Sequence, residues 1–193
     1  MLDPREGLSA TGAICTGASR ERIPDRYSNI LDAATTQITA AVPRASVYVY
    51  GSVATGIAVA PDSDVDLLTV GIPTELAASI GSSLSTDFSD LCRGAEIAAA
   101  AESDFAGATD EAYGNRVFLH HYCVRLVGPE IDRAESPFPG DLHAARGFNV
   151  DIAQHLDRWR RRFTTTDPAL LGRIAARKTL LAVAGLVSVN DST

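Results

Sequence analysis

Cysteine is scarce. The three present, Cys15, Cys92 and Cys123, stand at wide, irregular spacing, which excludes a disulfide framework and paired zinc ligands and points to free thiols in a reducing compartment. Long apolar runs are also missing. The best candidate, Leu180 to Val187, is followed at once by Ser188, Asn190 and Asp191 and falls well short of the roughly 20 residues that cross a bilayer. Met1-Leu2-Asp3-Pro4-Arg5-Glu6 puts acids and a proline where a signal peptide needs basic and then apolar residues, so a cytoplasmic location is expected. Basic charge is outweighed, 17 Lys and Arg against 24 Asp and Glu, for a formal net charge of −7. That balance argues against a large nucleic-acid footprint and suits a cationic small substrate better. With 46% hydrophobic and 21% charged residues in 193, the chain has the composition of an ordinary globular protein.

Residues 1–24 lack periodicity and close at Ile23-Pro24, which predicts a loose leader. Tyr27, Ile30, Leu31, Ala34, Ile38 and Val42 recur at helical spacing, so a helix is expected over 25–42. Residues 46–50 and 65–70 read as strands and 74–84 as a helix with Thr74 as its N-cap. The alanine-rich stretch 94–100 favours helix by propensity, but its glycine boundary and the Glu102-Ser103-Asp104 that follows fit a short strand beside 64–70. A further edge strand is expected over 122–127, ended by Gly128-Pro129. Past Pro137-Phe138-Pro139-Gly140 the texture changes. Ile152, Leu156, Trp159 and Phe163 form an apolar stripe beside Arg158, Arg160, Arg161 and Arg162, and a second helix is expected over 168–189. These boundaries give a leader (1–24), a domain over 25–136 and a helical C-terminal region over 141–193. Leu180, Leu181, Val183, Leu186 and Val187 offer more apolar surface than one buried face explains, which predicts a homodimer or a longer natural chain.

The chemistry concentrates in Val47-Tyr48-Val49-Tyr50-Gly51-Ser52 and Ser63-Asp64-Val65-Asp66-Leu67-Leu68. In an extended segment Asp64 and Asp66 share one face while Val65 and Leu67 take the other, leaving two carboxylates about 7 Å apart along the strand. Such a pair suits Mg²⁺, which takes one or two protein carboxylates and completes its shell with water and phosphate oxygens. Gly51 lets the backbone approach a phosphate, and a short helix starting at Ser52 would turn free N–H groups toward an anion. The Ser52 hydroxyl adds a further phosphate contact.

Transfer of a metal-bound phosphate to a hydroxyl also requires a group to deprotonate that hydroxyl, and Glu96, on a strand expected beside Asp64 and Asp66, is the best placed. Arg177 and Lys178 open the last helix; either both solvate its end, or Lys178 reaches the β- and γ-phosphates of a nucleotide. His120 and His121 adjoin an expected strand, where neighbours face opposite ways. Arg116 and His121 match the Arg-x4-His spacing of HEPN ribonucleases, but the segment does not read as a helix and the match is set aside.

The glycine-serine turn, a short gap and then aspartate-x-aspartate between apolar residues resembles the signature of the nucleotidyltransferase superfamily to which DNA polymerase β belongs. Tyr50-Gly51-Ser52, Ser63 to Leu68, Ala95-Glu96-Ile97 and Val124 to Pro129 look most like the aminoglycoside type of antibiotic nucleotidyltransferase. The resemblance implies an α/β (α+β) fold, with a small mixed sheet flanked by helices and a helical region after it. It implies a two-metal transfer of AMP or another NMP, from ATP or another nucleoside triphosphate, to a hydroxyl of a small acceptor such as an aminoglycoside, with release of pyrophosphate. Asp64 and Asp66 become Mg²⁺ ligands, Glu96 the third acid or general base, and Gly51 and Ser52 phosphate contacts. Two other functions stay open, a nucleotidyltransferase of a toxin–antitoxin pair acting on protein or RNA, and a non-catalytic nucleotide-binding module. The chain departs from the antibiotic enzymes in its short C-terminal region, the part that lines their acceptor site.

Overall fold

The computed structural model describes residues 7–131 and 137–184, without the side chains of 177 and 180–184. It is a mixed α/β structure that separates into two compact units. One comprises Thr16–Ala106 and Phe118–Ser136, the other Met1–Cys15, Gly107–Val117 and Pro137–Thr193.

The first unit is built on a four-stranded sheet in the order β3-β2-β1-β4: β1 (Ser46–Tyr50), β2 (Val65–Val70), β3 (Ala95–Ala100) and β4 (Val124–Val127). β2 runs antiparallel to β1 and parallel to β3, and β4 pairs antiparallel with β1. Valine, tyrosine and leucine suit the pleat, and their alternation gives each face its own core. Val47, Val49, Val65 and Leu67 are fully buried on one face. They pack with Ile30, Leu31, Ala34 and Ile38 of α1 (Ser28–Ala41) and with Ala77, Ile80 and Leu84 of α3 (Thr74–Asp87). Tyr48, Leu68 and Val70 on the other face join Phe105 and Leu119 in a smaller cluster.

The segment 95–100 is the expected strand. Tertiary pairing overrides its alanine content: every residue has a register partner in β2, and the Val65 N–H donates to Gly94 O at 2.9 Å. The α3 helix is capped at Pro73 rather than Thr74, because extended Pro73 (φ −65°, ψ 145°) sets the entry and its carbonyl accepts from Ala77. It also runs on to Asp87.

The strand expected over 122–127 is present but starts late. Residues Asp110–Tyr122 form a helix, α4, which carries both His120 and His121 and delays β4 to Val124. The start was readable: the Thr109 hydroxyl accepts from the Ala112 N–H at 3.1 Å, and Asp110 and Glu111 fill the first turn, where carboxylates favour the helix dipole.

The second unit contains α5 (Leu142–Asn149), α6 (Ile152–Arg162) and α7 (Pro168–Ala184). Asp141 caps α5 through the Ala144 N–H at 2.9 Å, and Asp167 accepts from Leu170 at 2.9 Å at the start of α7. Gly114 and Gly147 meet backbone to backbone, so that a β-carbon on Gly114 would fall 2.4 Å from the Gly147 carbonyl carbon. In the expected stripe Ile152 and Trp159 are half-buried, but Leu156 is 44% and Phe163 73% exposed, and α6 buries no residue. The association face expected at Leu180, Leu181, Val183, Leu186 and Val187 lies outside the described residues. Among those described, no helix is long and apolar enough to cross a membrane.

Candidate active site

The β1 strand ends in a tight turn. Gly51 takes φ +70° and starts α2 (Gly51–Thr55), a helix of little more than one turn that Gly56 closes at φ +78°. Two constraints coincide at Gly51. Its left-handed backbone disfavours any side chain, and a β-carbon there would stand 2.5 Å from Asp66 Oδ2. The turn therefore presses the main chain directly against the Asp66 carboxylate. Ser52 is half-buried, and its carbonyl accepts from Ile57 at 3.0 Å and Ala58 at 3.1 Å, which folds the following loop back onto the turn.

Asp66 sits in the middle of a three-strand row. Tyr50 is its register partner on β1 and Glu96 its partner on β3. Paired residues on adjacent strands point to the same side, with backbones about 4.8 Å apart. Asp66 is half-buried and Glu96 exposed on the edge strand, so the row grades from a partly covered acid to an open one. Tyr50 closes its inner end, edge-on to Phe118 at 5.1 Å between centroids. Burial first, then the charges of Asp66, Cys123 and Glu96, push the Tyr50 hydroxyl up to about 12. It is neutral throughout the physiological range.

Asp64 lies one residue ahead of β2 and is engaged by Arg93. The Arg93 Nε donates to Asp64 Oδ1 at 3.0 Å and its Nη2 to Oδ2, a forked ion pair. The Arg93 backbone is fixed beside it, its N–H donating to Ser63 O at 3.1 Å. The hydrogen bond to Asp64 and then its charge, with smaller help from Glu96 and Asp62, raise the already high pKa of Arg93. Nothing in the motif spacing marked Arg93 or Tyr50 as site residues. Their roles follow from strand register and from the turn before β3, which only the fold reveals.

Gly51, Ser52, Asp64, Asp66 and Glu96 thus all belong to one unit, at one end of one sheet. Lys178 belongs to the other unit. There its ammonium pairs with Asp151 Oδ1 at 3.0 Å, while His155 meets Oδ2 of the same carboxylate at 3.0 Å. Burial alone would raise the Asp151 pKa, but Lys178, then His155, outweigh it and hold the carboxyl below its usual range. The acids line neither described cavity. The larger, about 480 Å³, is apolar and bordered by Leu156, Trp159, Phe163 and Leu171; the smaller, about 220 Å³, by Tyr48, His120, Cys123 and Arg125.

Among the described residues no three His, Cys, Asp or Glu side chains stand close enough together to enclose a metal ion. The donors present are oxygen only and include two carboxylates two residues apart, one of them cradled by a glycine turn. That set fits Mg²⁺, which leaves most of its shell to water and substrate, and fits neither zinc nor a soft metal.

No protein-family model matches the chain, and neither does any curated protein. Solved structures similar to it include two toxin–antitoxin proteins. One is a toxin–antitoxin crystal structure with AMP-PNP, 14% identical, covering 69% of this chain and 94% of its own at a TM-score of 0.37. The other is a tri-AMPylated Shewanella oneidensis HEPN toxin in complex with MNT antitoxin, 14% identical, covering 70% and 93% at a TM-score of 0.35. Likenesses at that level leave the chain's function to be read from its own geometry.

Proposed function

We propose that this protein is a metal-dependent nucleotidyltransferase that moves an NMP, AMP in the simplest case, from a nucleoside triphosphate to a hydroxyl. One observation carries the reading. Asp66 and Glu96 are paired in register on parallel strands, with Asp64 two residues upstream and the Gly51 main chain against the Asp66 carboxylate. Asp64 and Asp66 would hold Mg²⁺, whose charge favours the build-up of negative charge on the α-phosphate. Gly51 and Ser52 receive the phosphates at the turn. Glu96, open to solvent and so to an incoming acceptor, takes the hydroxyl proton. The acceptor oxygen bonds to the α-phosphorus as the bond to the β-phosphate bridging oxygen breaks, and pyrophosphate leaves with that electron pair. Free Cys15, Cys92 and Cys123 are consistent with a reducing, cytoplasmic setting.

An aminoglycoside hydroxyl and a hydroxyl of a protein or RNA partner make the same demand on these residues. Net charge and the sequence resemblance favour the first; toxin–antitoxin proteins are what the two solved structures contain, at likenesses too low to choose. The test is incubation with ATP labelled at the α-phosphate and Mg²⁺, with aminoglycosides, RNA and cell protein offered in parallel. Label in any acceptor, lost in Asp66→Asn, supports the reading and identifies the acceptor class. Metal-dependent ATP binding with no transfer to any of them would leave only a nucleotide-binding module.

A further inference from the structure

Arg93 holds a position that the proposed reaction cannot leave unchanged. Its guanidinium forks onto both oxygens of Asp64, a carboxylate needed for metal, yet the side chain is 70% exposed and reaches that partner from the surface. The backbone beneath it is held on both sides: the Arg93 N–H donates to Ser63 O at 3.1 Å, and Gly94 O accepts from Val65 at 2.9 Å. Whatever the guanidinium binds, its stem stays anchored beside Asp64 at the start of β2. The surroundings are strongly acidic, with Glu96 and Asp62 also acting on Arg93. A triphosphate approaching four carboxylates, Asp62, Asp64, Asp66 and Glu96, meets repulsion that one divalent cation offsets only in part. The guanidinium fork matches two oxygens of a phosphate as well as it matches two of a carboxylate.

We propose that Arg93 is a triphosphate-positioning residue that changes partners on loading. Without metal it neutralises Asp64. When a divalent cation takes Asp64, the long exposed side chain is released to the β- and γ-phosphates of the nucleotide, and it returns to Asp64 as pyrophosphate and metal depart. The proposal rests on the nucleotidyltransferase reading above. It makes Arg93 a competitor of the metal in the absence of nucleotide and a helper of the nucleotide in its presence, a pair of opposed effects that a merely structural ion pair would not produce.

The test measures binding in the full chain. Free Mn²⁺ is followed by electron paramagnetic resonance in a titration without nucleotide, and a non-hydrolysable ATP analogue and AMP are then titrated calorimetrically at saturating Mn²⁺. Arg93→Gln is expected to bind Mn²⁺ several-fold more tightly and the triphosphate about tenfold more weakly, with AMP affinity unchanged. Arg93→Lys, which keeps the charge and loses the fork, should fall between on both. Melting temperatures establish that both variants are folded. Mn²⁺ and triphosphate affinities within twofold of the parent in folded Arg93→Gln, or tighter Mn²⁺ with an unchanged triphosphate, would overturn the exchange of partners. Asp64→Asn separates this from failure of the underlying reading. If it abolishes Mn²⁺ binding while Arg93→Gln is silent, the metal site stands and the role of Arg93 falls; if it leaves Mn²⁺ binding intact, both fall.

Discussion

The two units differ in how far their described apolar residues are buried. In the sheet unit Val47, Val49, Val65 and Leu67 are fully covered, and chargeable groups gather at one strand end, where Tyr50, Asp66 and Glu96 form a row. In the helical unit α6 buries nothing, Phe163 is 73% exposed, and Asp157, Arg158, Arg160, Arg161 and Arg162 of α6 are exposed to solvent. A dense core beneath the acid row holds its strands in register. Among its described residues the helical unit buries fewer apolar side chains, Ala112, Val117, Ala144, Ala145 and Leu171.

If chemistry is confined to the acid row, the largest effect belongs to Glu96. Glu96→Gln should lower turnover by about 10²- to 10⁴-fold, the usual contribution of a general base, with nucleotide binding and melting temperature unchanged because the side chain is exposed. Equal loss of nucleotide binding would instead make it a metal ligand. Leu67→Ala should cost about 2–5 kcal/mol in denaturant unfolding, since it opens a cavity between sheet and helices. Leu156→Ala, on a residue 44% exposed, should cost less than about 1 kcal/mol. Comparable losses at the two positions would erase the contrast between the units.

Gly51→Ala reads stability and ligand binding at one position of the sheet unit. Its left-handed backbone should cost about 1–2 kcal/mol, and the new β-carbon would displace the Asp66 carboxylate, so metal-dependent triphosphate binding should fall more than the modest loss of stability explains. The remaining effects are in pH. Tyr50 is raised to about 12 while the unfolded tyrosine ionises near 10; its contribution is full below pH 10 and lost as pH rises toward 12, and Tyr50→Phe should flatten that alkaline limb. Asp151 has the opposite sign. Its depressed pKa contributes stability above the unfolded value near 3.9 that disappears as pH falls through the folded pKa, and Asp151→Asn should flatten the acid limb.

How much of this was legible varies with the physics of each segment. β1, β2 and α1 follow directly from side-chain alternation and helical spacing, because each buries a regular face. The β3 strand was readable only by weighing the glycine boundary against alanine propensity, which register with β2 then overrode. The α4 helix escaped because Asn115, Arg116 and the two histidines interrupt its apolar pattern, although its Thr109 cap was in plain view. For the candidate site, Gly51 and Ser52 came from turn chemistry, Asp64 and Asp66 from period-two spacing, and Glu96 from the strand expected beside them. Tyr50 and Arg93 did not, since a register partner across a sheet and a fork from a neighbouring turn leave no trace in spacing. Lys178 was assigned to phosphate on its helix alone, and the fold engages it with Asp151.

The central claim, that Asp64 and Asp66 with Gly51 and Ser52 form a metal and triphosphate site, is tested most directly by crystals soaked with Mn²⁺ and a non-hydrolysable ATP analogue. The account predicts an anomalous peak touching both Asp64 and Asp66, with the triphosphate against the Gly51–Ser52 turn and its α-phosphate facing Glu96. Manganese bound elsewhere, or no peak and no nucleotide at millimolar concentrations of both, would contradict it.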